Sequence, residues 1–420
     1  MGAGGIVTAM LVLRYFTPDV QGYYYTFANI LALQIFLELG LSAVVTMFAA
    51  HEWSKLSLAA DQSIEGDAAA KSRLGSLARL VALWYFVGAV LLLALLVPAG
   101  YWFFHSQAGA PEVEWQEPWL FLCLLATVNF SLTPAWAMLS GCGRIAHVNA
   151  YKAGESIVRY AALWTCMVLG AALWSAVAAI TATTIAACAF LFVSYRRFLG
   201  TLLRKQTGPS IEWRGEILPL QARIALSWVS GYFVYSLFTP ATFYFLGPSE
   251  AGRIGLTWAV LNGLSGIAAT WLQAQTPALS MMVARKEFAE LDRTVARTAA
   301  IGVAVFLVGG FAALIALRAI ESWRPDLTSR FIPLGAVAVF LFAELLHQLS
   351  MAQSTFLRVF KREPFLGLSI LTAVTIGGGT LWLTPNLGAY GPALSYLAGM
   401  CLALAWGSLI FIRKRKEWTS

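Results

Sequence analysis

Charged residues are scarce in this chain, at 12% of its 420 residues, whereas 59% of the residues are hydrophobic. Soluble domains use roughly 45–50% apolar residues, and the mean hydropathy here is +0.70. No large hydrophilic portion remains that would form a domain in water. The composition therefore excludes an ordinary soluble protein and predicts a chain that lies mostly within a bilayer.

Signatures of catalysis and of cofactor binding are also missing. We find no glycine-rich loop followed by Lys-Ser/Thr, so ATP is not the direct energy source. A nucleophile elbow, a zinc signature and a large acidic loop are absent as well, which argues against a membrane glycosyltransferase or protease. The few cysteines lie in or beside apolar segments without metal-ligand spacing, and we interpret them as small core residues. We predict no enzyme activity, no metal and no cofactor. The cysteines are Cys123, Cys142, Cys166, Cys188 and Cys401.

What the chain does contain is a series of twelve apolar segments, most of them long enough to cross a bilayer as helices, which takes about 20 residues. They predict an all-α polytopic membrane protein. The first segment is short, so either the true first helix begins upstream or this helix tilts into its neighbours. The predicted spans are 2–16, 23–49, 77–103, 118–140, 148–170, 172–194, 222–246, 254–279, 295–318, 330–354, 364–384 and 391–412.

The positive charge is distributed on one side of these segments. Of the 29 basic residues, 23 lie in alternate connections beginning after the second span or in the span ends next to them, and five lie in or beside the others. Because cytoplasmic loops are rich in Lys and Arg, we expect a multi-pass protein of the cell (inner) membrane with both termini in the cytoplasm. The net charge of +8 then reflects topology, and we predict no nucleic-acid partner.

A short motif recurs in the two halves of the chain. Pro18-x-x-x-Gly22 follows the first span and Pro248-x-x-x-Gly252 follows the seventh. Proline begins a turn or helix, and glycine permits close backbone approach. The recurrence predicts parallel repeats, namely six-helix bundles over 1–195 and 222–412, a cytoplasmic linker over 196–221 and a basic tail over 413–420.

Four short motifs resemble those of polysaccharide exporters, the Wzx-type flippases of the multidrug/oligosaccharidyl-lipid/polysaccharide (MOP) superfamily. They are Arg14-Tyr-Phe-x-Pro18-x-x-x-Gly22-x-Tyr, Glu38-Leu-Gly40-Leu, Gly141-Cys-Gly143-Arg144 and Arg358-x-x-Lys361-x-x-Pro364. The family often has Asp where this chain has Glu38. The resemblance implies a pair of six-helix bundles around a central cavity. It also implies transport of a polyprenyl-pyrophosphate-linked oligosaccharide to the outer leaflet, with membrane lipids and a glycan polymerase as partners.

Ionisable residues inside predicted spans are the candidates for substrate contact, because burying charge in a bilayer is costly. Lys152, Glu155 and Arg159 share one helical face in the fifth span. They form either a polar cavity wall in which Arg159 meets a pyrophosphate, or a self-contained Glu155–Arg159 ion pair.

Three further sites leave similar alternatives open. Glu38 is either a protonatable coupling carboxyl or a packing carboxyl held by a neighbouring helix. Glu344 and His347, at i and i+3, are either a polar lining or titrating pair, or a structural hydrogen-bonded pair. Arg14 either binds phosphate or anchors its helix at the interface. On the predicted outer side, Arg318, Arg324 and Arg330 form a basic patch that meets an acidic glycan or lipid headgroups.

We therefore expect a flippase for lipid-linked oligosaccharides that works by alternating access. The alternatives are a drug/cation antiporter of the same superfamily and a non-catalytic membrane partner in a glycan assembly complex. A compact, acidic, aromatic cavity lined by Glu38 and Glu155 would favour the antiporter, and a larger cavity of net positive lining would favour the flippase.

Overall fold

The protein, described here from a computed structural model, is almost entirely helical over residues 2–59, 63–106, 113–204, 207–360, 362 and 364–419. Five of the twelve predicted spans match a single helix to within four residues at both ends, five others lie in helices that extend further, and the second and seventh are each divided between helices. The helices are α1 (Gly2–Tyr15), α2 (Pro18–Leu31), α3 (Ile35–Glu38), α4 (Leu41–Trp53), α5 (Ala68–Ser106), α6 (Gln116–Leu139), α7 (Ile145–Val168), α8 (Trp174–Leu203), α9 (Leu218–Tyr235), α10 (Phe238–Leu246), α11 (Pro248–Ala284), α12 (Phe288–Trp323), α13 (Pro325–Thr328), α14 (Leu334–Arg358), α15 (Leu366–Leu387) and α16 (Tyr390–Thr419). Two short antiparallel strands, Leu56–Leu58 and Ile64–Gly66, form a hairpin before α5.

Seven helical segments in the described residues are long and apolar enough to cross a membrane, and an eighth qualifies if one bent pair counts as a single span. One of the seven, Gln116–Val168, contains both α6 and α7 and therefore two of the predicted spans. The prediction of a polytopic all-α membrane protein is confirmed.

The second predicted span is broken, whereas the sequence pattern indicated one continuous helix over 23–49. Leu39 and Gly40 adopt left-handed backbone angles, with φ of 50° and 67°, and Pro18–Glu38 meets Leu41–Trp53 at 47°. A Cβ on Gly40 would lie 2.5 Å from the Ile224 side chain, so only glycine fits here without a shift. Apolar composition alone does not show such a break.

By its internal contacts the chain forms two compact units. One contains the chain up to Asn29 together with Ser230–Ser420, and the other runs from Ile30 to Val229. These units differ from the predicted repeat halves, because α1 and the start of α2 pack with the second half of the chain. The division into bundles over 1–195 and 222–412 stays a prediction.

In the first of these units the two Pro-x-x-x-Gly motifs pack against each other reciprocally. Pro18 begins α2 and Pro248 begins α11, and Gly22 and Gly252 lie inside the helices that follow. A Cβ on Gly22 would lie 1.9 Å from the Pro248 carbonyl oxygen, and a Cβ on Gly252 would lie 2.8 Å from the Pro18 carbonyl oxygen. We call this contact the glycine seam. The glycines act as close-packing residues of a helix pair, not as turn residues.

The core of the same unit is a cluster of aromatic side chains from α10, α11, α14 and α16. Phe238, Trp258, Phe340 and Tyr396 are all buried, with centroid distances of 5.0 Å for Phe238–Trp258 and 5.2 Å for Trp258–Tyr396. Edge-to-face aromatic packing adds about 0.5–1.5 kcal/mol per pair to the burial term. This cluster fixes the helices that carry the buried polar network described below.

In the unit from Ile30 to Val229, the linker docks on α5. It is shorter than the predicted 196–221, because α8 continues to Leu203 and α9 begins at Leu218. Arg73 bridges Glu52 at 2.8 Å and Glu216 at 2.5 Å, and Trp84 stacks on Trp213 at 5.1 Å. Lys205 of the predicted linker and Lys361 of the fourth motif lie outside the described residues.

Candidate functional site

A polar cavity of about 380 Å³ lies between α4, α6 and α7 in the unit from Ile30 to Val229. Of the predicted residues, Lys152 lines it and is the one charged side chain among the described lining residues. The rest of the lining is hydroxyl groups, small side chains and one indole. The lining residues are Ser42, Ala43, Thr46, Thr133, Trp136, Ala137, Ser140 and Lys152.

The hydrogen bonds of the cavity leave its hydroxyl oxygens free to accept. Ser42 donates its proton to Glu38, at 2.5 Å, and Thr46 donates to the Ser42 carbonyl oxygen, at 2.9 Å. Thr133 donates to the Asn129 carbonyl oxygen, at 3.4 Å. A hydroxyl that has donated once still accepts through its lone pairs. The lining therefore offers acceptors to ligand hydroxyl groups, and the Lys152 ammonium offers donors to an anion.

The aromatic wall of the cavity is held rigidly from behind. Trp136 stacks on Tyr151 with centroids 4.7 Å apart, and the Phe190 ring packs against both, 5.9 Å from Trp136 and 4.6 Å from Tyr151. An aromatic face that is fixed by stacking presents a flat apolar surface at low entropic cost.

Glu38 lies behind the cavity at the helix break, where α3 ends. It is half-buried and does not line the cavity; it reaches the cavity only through its hydrogen bond from Ser42. Trp84 donates from its indole nitrogen to the Leu37 carbonyl oxygen, at 3.2 Å, and so satisfies one of the acceptors that the break leaves open. The Glu38 carboxylate thus accepts a side-chain hydrogen bond from Ser42, and both predicted roles of Glu38 stay predictions.

The other two ionisable residues of α7 stand apart from the cavity. Glu155 and Arg159 are half-buried, but no ion pair joins these two described residues; the Arg159 guanidinium instead lies 5.2 Å from the centre of the Tyr160 ring. The expected direct pair is therefore not formed. Seven residues of helix place Arg159 about 10 Å along the axis from Lys152.

The Gly141-Cys-Gly143-Arg144 motif forms the kink between α6 and α7. Gly143 has a left-handed φ of 75°, and Arg144 is the last residue of the kink before α7 begins. A Cβ on Gly141 would lie 2.6 Å from that of Ala49 and 2.7 Å from the Thr46 carbonyl oxygen. The motif therefore presses α6 against α4 and orients the start of α7, which carries Lys152.

A second polar cluster is buried in the unit that contains Ser230–Ser420. Glu344 has a side chain only 3% exposed and accepts hydrogen bonds from Ser265 and from Tyr396, the latter at 2.6 Å. The His347 ring nitrogen Nδ1 lies 2.9 Å from the same carboxylate. Gln348 donates to Ser265, at 2.6 Å. The sequence-predicted Glu344–His347 pair is thus part of a larger network.

This network extends from the partly exposed His347 to an exposed tyrosine. The other ring nitrogen of His347, Nε2, lies 3.0 Å from the Tyr235 hydroxyl group, and Tyr235 is 40% exposed. Tyr235 in turn accepts at its backbone oxygen a hydrogen bond from Trp258, at 2.9 Å. A continuous chain of hydrogen bonds therefore joins an exposed phenol to a buried carboxylate.

Arginines at helix ends are mostly neutralised, contrary to the expected basic patch. Arg318 pairs with Glu321 at 2.5 Å and Arg324 with Asp326 at 3.2 Å, and the hydrogen bond from Arg324 lowers the pKa of Asp326. Arg330 donates to the Gln21 side chain, at 2.6 Å. Arg14, by contrast, is exposed and lies 5.7 Å from the ring centre of Tyr15, as an interfacial anchor would.

Several residues of the polar cavity and of the buried network were not identified from the sequence. Ser42, Thr46, Thr133, Trp136 and Ser140 of the cavity, and Tyr235, Ser265, Gln348 and Tyr396 of the network, are ordinary span residues by pattern. The sequence offered one signal for them, namely hydroxyl or amide side chains on the same helical face as a predicted ionisable residue. No group of three or more metal-ligating side chains occurs in the part of the chain that the structure describes.

Solved structures with the same fold are transporters of the MOP superfamily. An inward-facing multidrug resistance MATE family transporter matches with a TM-score of 0.71 at 15% identity, over 99% of this chain and 96% of that one. The lipid II flippase MurJ, in an inward closed conformation, matches with a TM-score of 0.66 at 11% identity, over 97% and 86%. A MOP superfamily transporter from Pyrococcus furiosus, described as having a binding pocket of reversed polarity, matches with a TM-score of 0.57 at 14% identity, over 97% and 91%.

Neither a family model nor a curated protein sequence matches this chain. At such low identity the structural matches show a shared fold. This chain thus has the fold of MOP superfamily transporters along almost its whole length, and it is a multi-pass membrane protein.

Proposed function

We propose that the protein is a MOP-type transporter that flips a lipid-linked oligosaccharide, of the polyprenyl pyrophosphate type, from the inner to the outer leaflet by alternating access. The observation that carries this proposal is the polar cavity in which Lys152 is the one charged lining residue of the described chain. The MurJ neighbour, by its name a lipid II flippase, lends support to a lipid-linked substrate.

The chemistry of the cavity suits a sugar phosphate. Lys152 offers up to three hydrogen-bond donors to phosphate oxygens, and the hydroxyl oxygens of Ser42, Thr46 and Thr133 accept from sugar hydroxyl groups. Trp136 supplies a fixed flat face for a sugar ring. Lys152 is exposed and forms no salt bridge within the described residues, although Glu155 is close enough to interact with it electrostatically. Its ammonium group can therefore still contact a ligand.

A drug/cation antiporter is the second candidate, supported by the MATE neighbours. It is disfavoured by the charge of the cavity, because a cationic drug needs a carboxylate and neither Glu38 nor Glu155 lines the cavity. Arg159 does not line the cavity. It would contact the substrate phosphate only if the ligand extended along α7 beyond the cavity.

The test is flipping of a fluorescent lipid-linked oligosaccharide in proteoliposomes, read as loss of outer-leaflet fluorescence to an impermeant quencher. We expect Lys152→Ala to slow flipping roughly tenfold, the cost of losing a charge-assisted hydrogen bond, and Lys152→Arg to retain most of the rate. Lys416→Ala removes an exposed lysine near the end of α16 and is the matched control.

An antiporter would behave differently in the same vesicles. Transport of an organic cation driven by a pH gradient, with no flipping of the lipid by the wild-type protein, would contradict the proposal.

We further propose, from the charge distribution, that the protein lies in the cell (inner) membrane with both termini in the cytoplasm. From the proposed substrate we propose that its partners are membrane lipids and a glycan polymerase.

A further inference from the structure

A second, apolar cavity lies on the opposite side of α6 from the polar one. This groove, between α6 and α8, has a volume of about 720 Å³. Small side chains on both helices, including Ser131, Ala135 and Ala189, leave the space open. Its walls include Ile185 and Phe192, each 64% exposed. We call this space the α6–α8 groove; it lies wholly within the unit from Ile30 to Val229.

One end of the groove carries a single cation. Arg196 is the one charged lining residue, it is exposed, and it has no carboxylate partner among the described residues. Its guanidinium lies 5.4 Å from the centre of the Phe192 ring, one helical turn back along α8. That stacking orients the guanidinium towards the groove and leaves its hydrogen-bond donors free for an anion.

The length of the groove matches one leaflet of a bilayer. From Thr184 to Arg196, α8 rises about 18 Å at roughly 1.5 Å per residue, and half of a bilayer's hydrocarbon core is about 15 Å. A lipid with its phosphate at Arg196 would thus extend one acyl chain past Phe192 and Cys188 to about the midplane. The same end of α8 carries Arg197 and Arg204, as expected of a helix end at an anionic membrane surface.

We propose that the α6–α8 groove is a binding site for an anionic glycerophospholipid, with the lipid phosphate on Arg196 and one acyl chain in the groove. The choice of an anionic lipid follows from charge complementarity: Arg196 has no internal counter-ion and the remaining lining is uncharged. This site is distinct from the polar cavity and does not depend on the proposed transport function.

The experiment is native mass spectrometry of the purified full-length protein after exchange into mixed micelles containing phosphatidylglycerol or phosphatidylcholine. We expect wild-type protein to retain phosphatidylglycerol preferentially, and Arg196→Gln to lose that preference roughly tenfold, as for a charged hydrogen bond. Arg197→Gln is the matched control. Arg197 is also exposed, but it lies about 100° around the helix and outside the groove lining. Arg197→Gln should therefore change the lipid preference less than twofold.

A second measurement locates the lipid. Phosphatidylglycerol with a photoreactive group in the middle of an acyl chain should cross-link to α8 near Cys188 and Phe192. Ala189→Trp, which fills the groove and leaves Arg196 intact, should abolish the cross-link. The proposal is overturned if Arg196→Gln and Arg197→Gln act equally, if cross-links map elsewhere, or if polyprenyl phosphate displaces phosphatidylglycerol at equal concentration.

Discussion

The glycine seam should tolerate no side chain at Gly22. Adding a Cβ there places it 1.9 Å from the Pro248 carbonyl oxygen and 2.6 Å from the carbonyl carbon. Both are backbone atoms, so no side chain can rotate away. To restore the 3.4 Å of an ordinary contact, α2 and α11 must separate by about 1.5 Å, and the packing around Gly252 and Tyr25 is lost with it.

The magnitude follows from two opposed terms. Overpacking a tight interface costs about 1–3 kcal/mol, whereas replacing Gly by Ala inside a helix gains about 0.5–1 kcal/mol. Gly22→Ala should lie at or above the upper end of that cost, because the contact is with backbone. Gly252→Ala, with its nearest atom at 2.8 Å, needs a shift of only about 0.6 Å and should cost roughly 1 kcal/mol net.

Gly266→Ala is the matched control. It lies in the same helix as Gly252, α11, and nothing lies within 4 Å of its added Cβ, so it should be neutral or slightly stabilising. The assay is thermal unfolding in detergent at one fixed scan rate, since membrane proteins rarely refold. We expect melting temperatures in the order Gly266→Ala, wild type, Gly252→Ala, Gly22→Ala.

The double variant tests whether the two glycines share one contact. Gly22→Ala with Gly252→Ala should cost less than the sum of the single changes, because the first separates the helices that the second would push apart. Equal melting of Gly22→Ala and Gly266→Ala would show that α2 and α11 do not approach as described.

Two further predictions concern the charged residues. Glu344→Gln should lower the melting temperature, because the amide nitrogen cannot accept hydrogen bonds from Ser265, Tyr396 and His347 as the carboxylate does. Each group left without a partner costs about 1–3 kcal/mol. Glu321→Gln, which changes an exposed ion pair, should leave the melting temperature unchanged, and equal losses in the two variants would contradict the buried network. The hydrogen bond from Arg73 lowers the pKa of Glu216. This ion pair therefore stabilises the folded protein fully above the glutamate's unfolded pKa of about 4.3, and the stabilisation is lost as the pH falls through the lower, folded pKa. Because both side chains are partly exposed, we expect about 1 kcal/mol or less. The difference in melting temperature between wild type and Glu216→Gln should be present at pH 7 and shrink as the pH falls below about 4.3; a difference that grows on acidification would refute this assignment.

The helices themselves follow from the sequence, because a helix that crosses hydrocarbon must be apolar over a fixed length. The predicted spans 330–354 and 364–384 correspond to α14 and α15, which begin four and two residues later than predicted. The repeated Pro-x-x-x-Gly motif was also visible, since proline can begin a helix and glycine permits contact whatever the partner. Lys152 and the pair Glu344–His347 were found as ionisable residues in apolar surroundings.

What the sequence could not determine is which groups meet. Glu344 finds Ser265 and Tyr396, 79 and 52 residues away, and Gly22 finds Pro248, because helix packing brings distant faces together and no local pattern encodes the partner. The need for glycine at position 40 likewise involves a distant partner, because an added Cβ would lie 2.5 Å from the Ile224 side chain. The requirement to span a bilayer acts on each segment separately, so the helices can be predicted from composition. Which charges pair, which helices touch and which side chains line a cavity depend on two or more distant segments, and only the tertiary structure decides them.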